Sequence, residues 1–142
     1  MTPSRQSEYR LRRRVSFSDV DVAGIVHFSW FFRYMEDAEH ALWREAGLSI
    51  VLPGREVVFP RVSATFEYHR PLRFEDEFDI HIRIAAIAEK TMRYDCAIML
   101  GATRIATGSI TIACATKLAD GTMKAVPFPP DIAARFEVAP PA

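Results

Sequence analysis

Four consecutive segments in the second half of the chain alternate apolar and polar residues with a period of two. That period places the apolar side chains of each segment on one face of a half-buried β-strand. The breaks between the segments are of turn length, whereas a parallel crossover needs about a dozen residues or more. We therefore expect consecutive antiparallel strands. The apolar positions are Val62, Ala64, Phe66 and Tyr68; Phe78, Ile80, Ile82 and Ile84; Met92, Tyr94, Cys96, Ile98 and Leu100; and Ala106, Gly108, Ile110, Ile112 and Cys114.

The first half of the chain predicts one more strand and one long helix. Residues Tyr9 to Phe17 alternate in the same way and indicate a half-buried strand. After Ser29, a candidate helix cap, apolar residues recur at helical spacing as far as Gly47, which can end a helix in the left-handed conformation. The members of this stripe are Phe31, Met35, Ala38, Leu42 and Ala46.

The order of these elements predicts an α+β fold in which about five antiparallel strands wrap around a long central helix. Trp30, Phe32 and Trp43 make the helix apolar on more than one side, so we expect it to be covered on more than one side. We expect a single domain over residues 1–142 with its core at about 9–130. A short helix at 131–137 and a proline-rich tail complete the chain.

The charge balance and the cysteines limit the classes of partner. With 18 Lys and Arg against 18 Asp and Glu, the chain has no general field to attract nucleic acid or an anionic membrane. Residues Met1 to Glu8 lack the apolar core of a signal peptide, and no run of about 18 apolar residues occurs. We therefore expect a cytoplasmic protein without membrane insertion. Cys96 and Cys114 fall at apolar strand positions and should stay free.

Several charged residues on the strands have simple expected roles. Arg10, Arg12, Arg13 and Arg14 indicate a solvated strand face, which we favour over a phosphate contact. His81 lies on the polar face of its strand, so we expect its side chain to be exposed.

The stretch from Asp19 to Phe28 joins an acidic loop to the start of the apolar helix. Backbone N–H groups in a first helical turn lack intrahelical partners, so they can receive a carbonyl oxygen as negative charge develops on it. A nearby carboxylate can attack the same carbonyl carbon or activate a water molecule. Together these features indicate acyl transfer, although aspartates before helices are more often turn formers, the role we expect for Asp19.

Four short segments of the chain carry a recognisable family pattern. They are Asp21-Val-Ala-Gly24-Ile-Val26, Phe31-Phe-Arg33-Tyr-Met-Glu36-Asp-Ala38, His69-Arg70-Pro71-Leu72-Arg73-Phe74-Glu75-Asp76 and Ala106-Thr107-Gly108. In combination they resemble the 4-hydroxybenzoyl-CoA thioesterase family over about residues 9–130. The resemblance implies the hotdog fold, in which five antiparallel strands wrap a central helix. It also implies a homodimer or homotetramer with active sites at the subunit interface.

The resemblance implies an acyl-CoA thioesterase in which Asp21 is either the nucleophile or the general base. The backbone N–H of Phe28 would polarise the thioester carbonyl, and Gly24 would permit the tight turn beside the substrate. His27 is a candidate second acid or base, with a hydrogen-bonded packing role as the alternative. Many relatives carry a Tyr-His-Ala run where this chain has His27-Phe28-Ser29, which leaves fewer polar groups to orient water.

Two sets of residues are candidate substrate contacts. Aromatic residues at the helix start would surround the acyl group, and basic residues at strand ends would contact the phosphates of coenzyme A. Coenzyme A is then part of the substrate, and we expect neither a metal nor another cofactor. The candidates are Trp30 and Phe31 for the acyl group, and Arg61, Arg70, Arg73 and Lys90 for the phosphates.

Alternatives to this assignment come from other residues and other functions. Glu36 is a competing catalytic carboxylate on the helix, although we favour its pairing with Arg33 or His40. A non-catalytic acyl-CoA binding or sensing protein could use the same fold, and a hydratase or dehydratase would need a histidine such as His27. The sequence leaves open whether the acyl group is aromatic or aliphatic.

Overall fold

The computed structural model describes residues 4–141, so Met1 to Pro3 and Ala142, at the ends of the predicted domain, lie outside the described residues. Within that range the chain forms eight strands and two α-helices, with a 3₁₀ turn at Phe17–Asp19. The strands are β1 (Glu8–Arg14), β2 (Val57–Val58), β3 (Arg61–Tyr68), β4 (Glu77–Ile87), β5 (Thr91–Leu100), β6 (Thr103–Ala113), β7 (Ala115–Lys117) and β8 (Met123–Ala125). The helices are α1 (Trp30–Glu45) and α2 (Pro130–Ala133), the latter shorter than the predicted 131–137.

The main sheet has five antiparallel strands in the order β1-β4-β5-β6-β3, which confirms the predicted α+β architecture. The four consecutive strands pair as neighbours except that β3 lies beyond β6, at the edge of the sheet. A second, three-stranded sheet in the order β2-β7-β8 was not expected from the sequence. Its strands are two or three residues long, too short for a period-two pattern to reveal.

The helix α1 packs against the inner face of the sheet and completes the core. Ile80, Ile82 and Ile84 alternate inward from β4 and are fully buried, as their spacing predicts. Burial of such a side chain contributes about 1.5–3 kcal/mol. Trp43 of α1 is also fully buried, and its indole N–H donates to the Tyr94 hydroxyl at 2.9 Å. The prediction of a helix covered on more than one side therefore holds around Trp43.

The two ends of α1 differ from each other in how they are capped. Gly47 has φ 80°, and the N–H of Leu48 returns to the Trp43 carbonyl at 2.9 Å, which confirms the predicted left-handed termination. Ser29 occupies the predicted N-cap position, but its dihedral angles are helical and its side chain makes no capping bond. Its hydroxyl instead lies 2.8 Å from Nδ1 of His27.

The outer charges of the sheet follow the prediction only in part. Arg12 and Arg14 are exposed and pair with Glu77 on the neighbouring strand, as expected for a solvated face. Arg13 turns inward, pairs with Asp37, and lies 5.0 Å from the centre of the Tyr34 ring.

The exposure predicted for His81 is wrong. Only 12% of its side chain is exposed, and its Nε2 lies 2.7 Å from Glu8. The antiparallel pairing of β1 with β4 brings Glu8 beside His81, a neighbour from far away in sequence. Cys96 and Cys114 are both buried and free, as predicted. Among the described residues, no helix is long and apolar enough to cross a membrane.

Arg61, at the start of β3, forms a buried ionic cluster with the helix. Its guanidinium pairs with Glu39, which is fully buried, and with Glu36 at 3.2 Å. The predicted pairing of Glu36 with Arg33 or His40 is therefore wrong, because β3 brings a cation from a different element. Burial raises the pKa of Glu39, and the Arg61 charge opposes that rise.

We predict that Arg61→Met destabilises the protein by about 3–5 kcal/mol at neutral pH, because it leaves the buried Glu39 carboxylate unpaired. A carboxylate whose folded pKa is raised stabilises the fold below that pKa, and this stability is lost as the pH rises through it. The loss should therefore be larger at pH 8 than at pH 5 in urea unfolding. Arg93→Met, which breaks an exposed pair with Asp95, is the control and should cost less than about 1 kcal/mol at both pH values. A pH-independent loss for Arg61→Met would contradict the assignment.

Candidate active site

A loop joins β1 to α1, and the buried carboxylate of Asp19 holds it in place. Asp19 is 1% exposed, and its Oδ2 accepts the Ser16 N–H at 3.1 Å and the Tyr34 hydroxyl at 2.8 Å. Its backbone carbonyl accepts the His27 N–H at 2.9 Å. These bonds confirm the predicted turn-shaping role of Asp19, which joins the two ends of the loop to each other and, through Tyr34, to the helix.

Asp21 lies in a tight turn within this loop. Its N–H donates to the Ile25 carbonyl at 2.9 Å, and its carbonyl accepts the Gly24 N–H at 3.0 Å. Gly24 has φ 78°, a left-handed conformation that explains why glycine occupies this position. The Oδ1 atom of Asp21 accepts the Ala23 N–H at 2.8 Å. Within residues 4–141 the Oδ2 atom has no hydrogen-bond partner, so one carboxylate oxygen is available for chemistry.

Asp21 borders an open cavity of about 460 Å³ between the loop, the start of α1 and the end of β3. The cavity brings together three of the predicted site residues, Phe28, Phe31 and Arg70, with Asp21. Its lining is mostly apolar and aromatic, with charged groups at the rim, as is usual for a small-molecule site. The lining residues are Asp21, Ile25, Val26, Phe28, Phe31, Tyr68, His69, Arg70 and Pro71.

The backbone N–H of Phe28 is a free hydrogen-bond donor at the start of α1. No acceptor for it occurs among the residues that the structure describes, whereas His27 and Ser29 on either side both donate their N–H groups. The Phe28 carbonyl accepts the Tyr68 hydroxyl at 2.9 Å. An unpaired amide at the positive end of a helix dipole can donate to an oxygen on which negative charge develops. The geometry of the Phe28 amide is consistent with the predicted role.

His27 and Trp30 do not line the cavity that contains Asp21. Nδ1 of His27 accepts the Ser29 N–H at 3.3 Å, and its ring stacks on Phe28 with centroids 4.5 Å apart. These contacts favour the packing role for His27. The Trp30 ring lies 5.1 Å from the Arg33 guanidinium and 6.2 Å from the Tyr34 ring.

The four basic candidates separate into two pairs in the protomer. Arg70 borders the cavity, and Arg73 is bridged through its backbone to Ile25 in the Asp21 loop. Arg61 is occupied by Glu39 and Glu36 at the other end of β3. Lys90 follows the last residue of β4, whereas the first residue of β4 lies near the Asp21 loop. An eleven-residue strand spans roughly 35 Å, so β4 separates Lys90 from that loop.

Tyr68 and His69 border the cavity, although the sequence did not single them out as site residues. The alternation of β3 predicted that Tyr68 faces the core, but 45% of it is exposed, since it borders the open cavity at the end of the strand. Nε2 of His69 lies 3.1 Å from the Thr107 hydroxyl. Their position at a strand end beside the Asp21 loop results from the sheet order, which alternation alone does not reveal.

Comparisons with known proteins agree with this architecture. A model of the thioesterase-like superfamily matches residues 15–136. A putative esterase of Aquifex aeolicus is 36% identical over 86 residues, covering 58% of this chain and 66% of the relative. A 1,4-dihydroxy-2-naphthoyl-CoA hydrolase of Synechococcus elongatus is 27% identical over 92 residues, covering 63% and 68%. Among solved structures, a gentisyl-coenzyme A thioesterase is 26% identical with a TM-score of 0.79, covering 91% and 100%.

These comparisons confirm the predicted family resemblance, the fold and the class of thioester hydrolases. The alignments span about two thirds of the curated relatives' length.

We predict that Tyr34→Phe destabilises the protein by about 1.5–3 kcal/mol, because it removes a donor to the buried Asp19 carboxylate. Burial and the Asp19 charge raise the pKa of Tyr34 well above its ordinary value, so the hydroxyl remains a donor at neutral pH. The measurement is urea unfolding. Tyr9→Phe is the matched control, since no partner for the Tyr9 hydroxyl occurs within residues 4–141, and its effect should stay within about 0.5 kcal/mol. Equal losses in the two variants would refute the anchoring role of Tyr34.

Proposed function

The chain belongs to the thioesterase-like superfamily, and from that premise we propose that it hydrolyses acyl-CoA thioesters with Asp21 as the catalytic carboxylate. One observation carries the proposal. The carboxylate of Asp21, with one oxygen free, and Phe28, whose N–H has no acceptor within residues 4–141, border the same cavity. A carboxylate and an unpaired amide beside one cavity are the two groups that acyl transfer needs at a carbonyl.

In the proposed reaction the thioester carbonyl oxygen accepts the Phe28 N–H, which stabilises the negative charge that develops there. Asp21 then acts in one of two ways. As the nucleophile, its free oxygen bonds to the carbonyl carbon, the C–S bond breaks, and water hydrolyses the resulting anhydride. As the general base, it takes a proton from the water that attacks the carbonyl carbon. Either route consumes one water and yields an acid and the CoA thiol. Neither uses a metal or a separate cofactor.

We propose an aromatic acyl group as the substrate. The rings of Phe31 and Tyr68 meet edge to face at 5.1 Å and 81° beside the cavity, and the exposed ring of Phe28 forms another side. Such ring edges and faces favour a further aromatic group. The 1,4-dihydroxy-2-naphthoyl-CoA hydrolase and the gentisyl-coenzyme A thioesterase are both named for CoA thioesters with aromatic acyl groups. Arg70 at the rim is the nearest predicted contact for the CoA phosphates.

We predict that Asp21→Asn lowers kcat by about 100-fold or more, because the amide can neither attack the carbonyl nor accept a proton from water. The variant should keep its fold and still bind benzoyl-CoA. The assay follows thiol release from benzoyl-CoA, hydroxybenzoyl-CoA and straight-chain acyl-CoAs. Enoyl-CoA is included to detect water addition, which consumes the double bond without releasing thiol. Asp95→Asn, on an exposed residue of β5, is the control and should match wild type.

Near-normal turnover in Asp21→Asn would exclude the assigned role. Tight binding of acyl-CoA by wild type without thiol release would favour a binding or sensing protein instead. Faster cleavage of straight-chain than of aromatic thioesters would overturn the proposed substrate class.

We also propose that the protein is a homodimer joined along β3. One edge of this strand pairs with β6, and the other has no strand partner among residues 4–141. Apolar side chains are exposed at both ends of the strand, where Val62 is 58% and Tyr68 45% exposed, with Phe28 61% exposed beside Tyr68. An open strand edge beside apolar side chains favours pairing with a second copy. A tetramer and a cytoplasmic location stay predictions.

A two-fold axis near the middle of β3 would make the two strands antiparallel. It would place the Arg61 end of one copy beside the Tyr68 end of the other. The Arg61 end carries a second cavity of about 530 Å³, bordered by Glu36, His40 and the loop at 50–55. This pairing would bring the predicted CoA contact Arg61 close to the site of the partner, although it is remote from Asp21 within its own protomer.

We predict that Val62→Lys shifts the protein toward the monomer, because it places a charge beside the pairing edge. Analytical ultracentrifugation at micromolar concentration measures the effect. Val138→Lys, at an exposed valine in the C-terminal segment, is the control and should leave the assembly unchanged. A monomeric wild type, or a Val62→Lys protein that sediments as wild type does, would count against the β3 interface.

A further inference from the structure

The Phe28 N–H belongs to the peptide that joins His27 to Phe28, and long-range hydrogen bonds hold the peptides on either side of it. On its N-terminal side, the His27 N–H donates to the Asp19 carbonyl at 2.9 Å. On its C-terminal side, the Phe28 carbonyl accepts the hydroxyl of Tyr68 at 2.9 Å. The first bond is made by backbone atoms alone, whereas the second depends on one side chain.

The first turn of the helix holds the carbonyls of His27 and Phe28 unequally. The Trp30 N–H donates to the His27 carbonyl, which shares a peptide with the Phe28 N–H, at 3.0 Å. The bond from the Phe31 N–H to the Phe28 carbonyl is long, at 3.4 Å, and Ser29 provides no side-chain cap. Hydrogen bonds weaken with length and misalignment, so the helix holds the Phe28 carbonyl less firmly than the His27 carbonyl. The Tyr68 hydroxyl therefore supplies the shorter of the two bonds that fix the Phe28 carbonyl.

Tyr68 is well placed to act as this anchor. Its ring packs edge to face on Phe31 at 5.1 Å and stacks on Phe66 at 6.1 Å, contacts that limit its rotation. Burial raises the pKa of its hydroxyl, so the group stays protonated and remains a donor at neutral pH. It is also the last residue of β3, the strand we propose to join two copies.

We propose that Tyr68 is a positioning residue that aims the Phe28 N–H at the thioester carbonyl. This inference rests on the proposed function above. The hydroxyl acts through the Phe28 peptide, so its loss should weaken stabilisation of the transition state more than binding of the substrate. Because Tyr68 ends the proposed interface strand, the same bond would link assembly along β3 to the geometry of the amide.

The test compares Tyr68→Phe with Tyr9→Phe in the full-length protein. Tyr68→Phe keeps the ring and its contacts but loses the hydroxyl, so we expect kcat for benzoyl-CoA to fall by about 10- to 100-fold. KM should change by less than about twofold, and the urea unfolding midpoint should stay close to that of Tyr9→Phe. A higher KM at unchanged kcat would overturn the proposal, because it would mean that the hydroxyl only binds substrate.

A spectroscopic measurement separates positioning from a general loss of structure. In the Asp21→Asn background, the carbonyl stretching frequency of bound, ¹³C-labelled benzoyl-CoA reports the strength of the hydrogen bond to its oxygen. We expect Tyr68→Phe to raise this frequency toward that of benzoyl-CoA free in water, and Tyr9→Phe to leave it unchanged. An unchanged frequency in Tyr68→Phe would overturn the proposal.

The two proposals fail in different ways. If wild type releases no thiol, hydrolysis itself is wrong, while the carbonyl frequency still decides whether Tyr68 orients the Phe28 amide. If wild type is active and Tyr68→Phe turns over as Tyr9→Phe does, only the role of Tyr68 is wrong.

Discussion

The hydrogen bond from the Tyr34 hydroxyl to the buried Asp19 carboxylate connects the central helix to the loop in which Asp21 lies. A carboxylate that is 1% exposed is costly to bury without partners, and the loop supplies them through Ser16 and Tyr34. The Asp19 carbonyl then fixes the His27 N–H, one residue before the Phe28 amide. The position of the carboxylate and the position of the amide therefore depend on the same anchored segment.

The open edge of the sheet is the second constraint on this molecule. The helix packs mainly against β1 and β4 and touches β3 through Phe31, so aromatic and aliphatic side chains of β3 remain partly exposed. In a protomer this edge is a liability for aggregation. In the proposed dimer it becomes the interface, and Tyr68 at its end contacts both the cavity and the Phe28 carbonyl. Assembly and catalysis would then share one strand.

Individual residues show how far sequence reasoning reached. Asp21 and Gly24 occupy the predicted tight turn, and Phe28 has the predicted free amide, because a turn and a helix start are made by neighbours in the chain. Predictions for Glu36 and His81 were wrong, since their partners come from strands far away in sequence. Tyr68 was not recognised as a site residue, because alternation assigns a face of a strand and not its exposure.

The periodic pattern of the chain was sufficient to determine the five main strands, their antiparallel direction, the long helix and the loop that carries Asp21. These features depend on backbone geometry and on neighbours within a few residues, which the sequence displays directly. The tertiary structure alone decided that β3 lies at the edge, that Tyr68 reaches the Phe28 carbonyl, and that Arg61 is occupied by Glu39. Those contacts join residues dozens of positions apart, and their existence depends on the order of strands in the sheet, which no local pattern encodes.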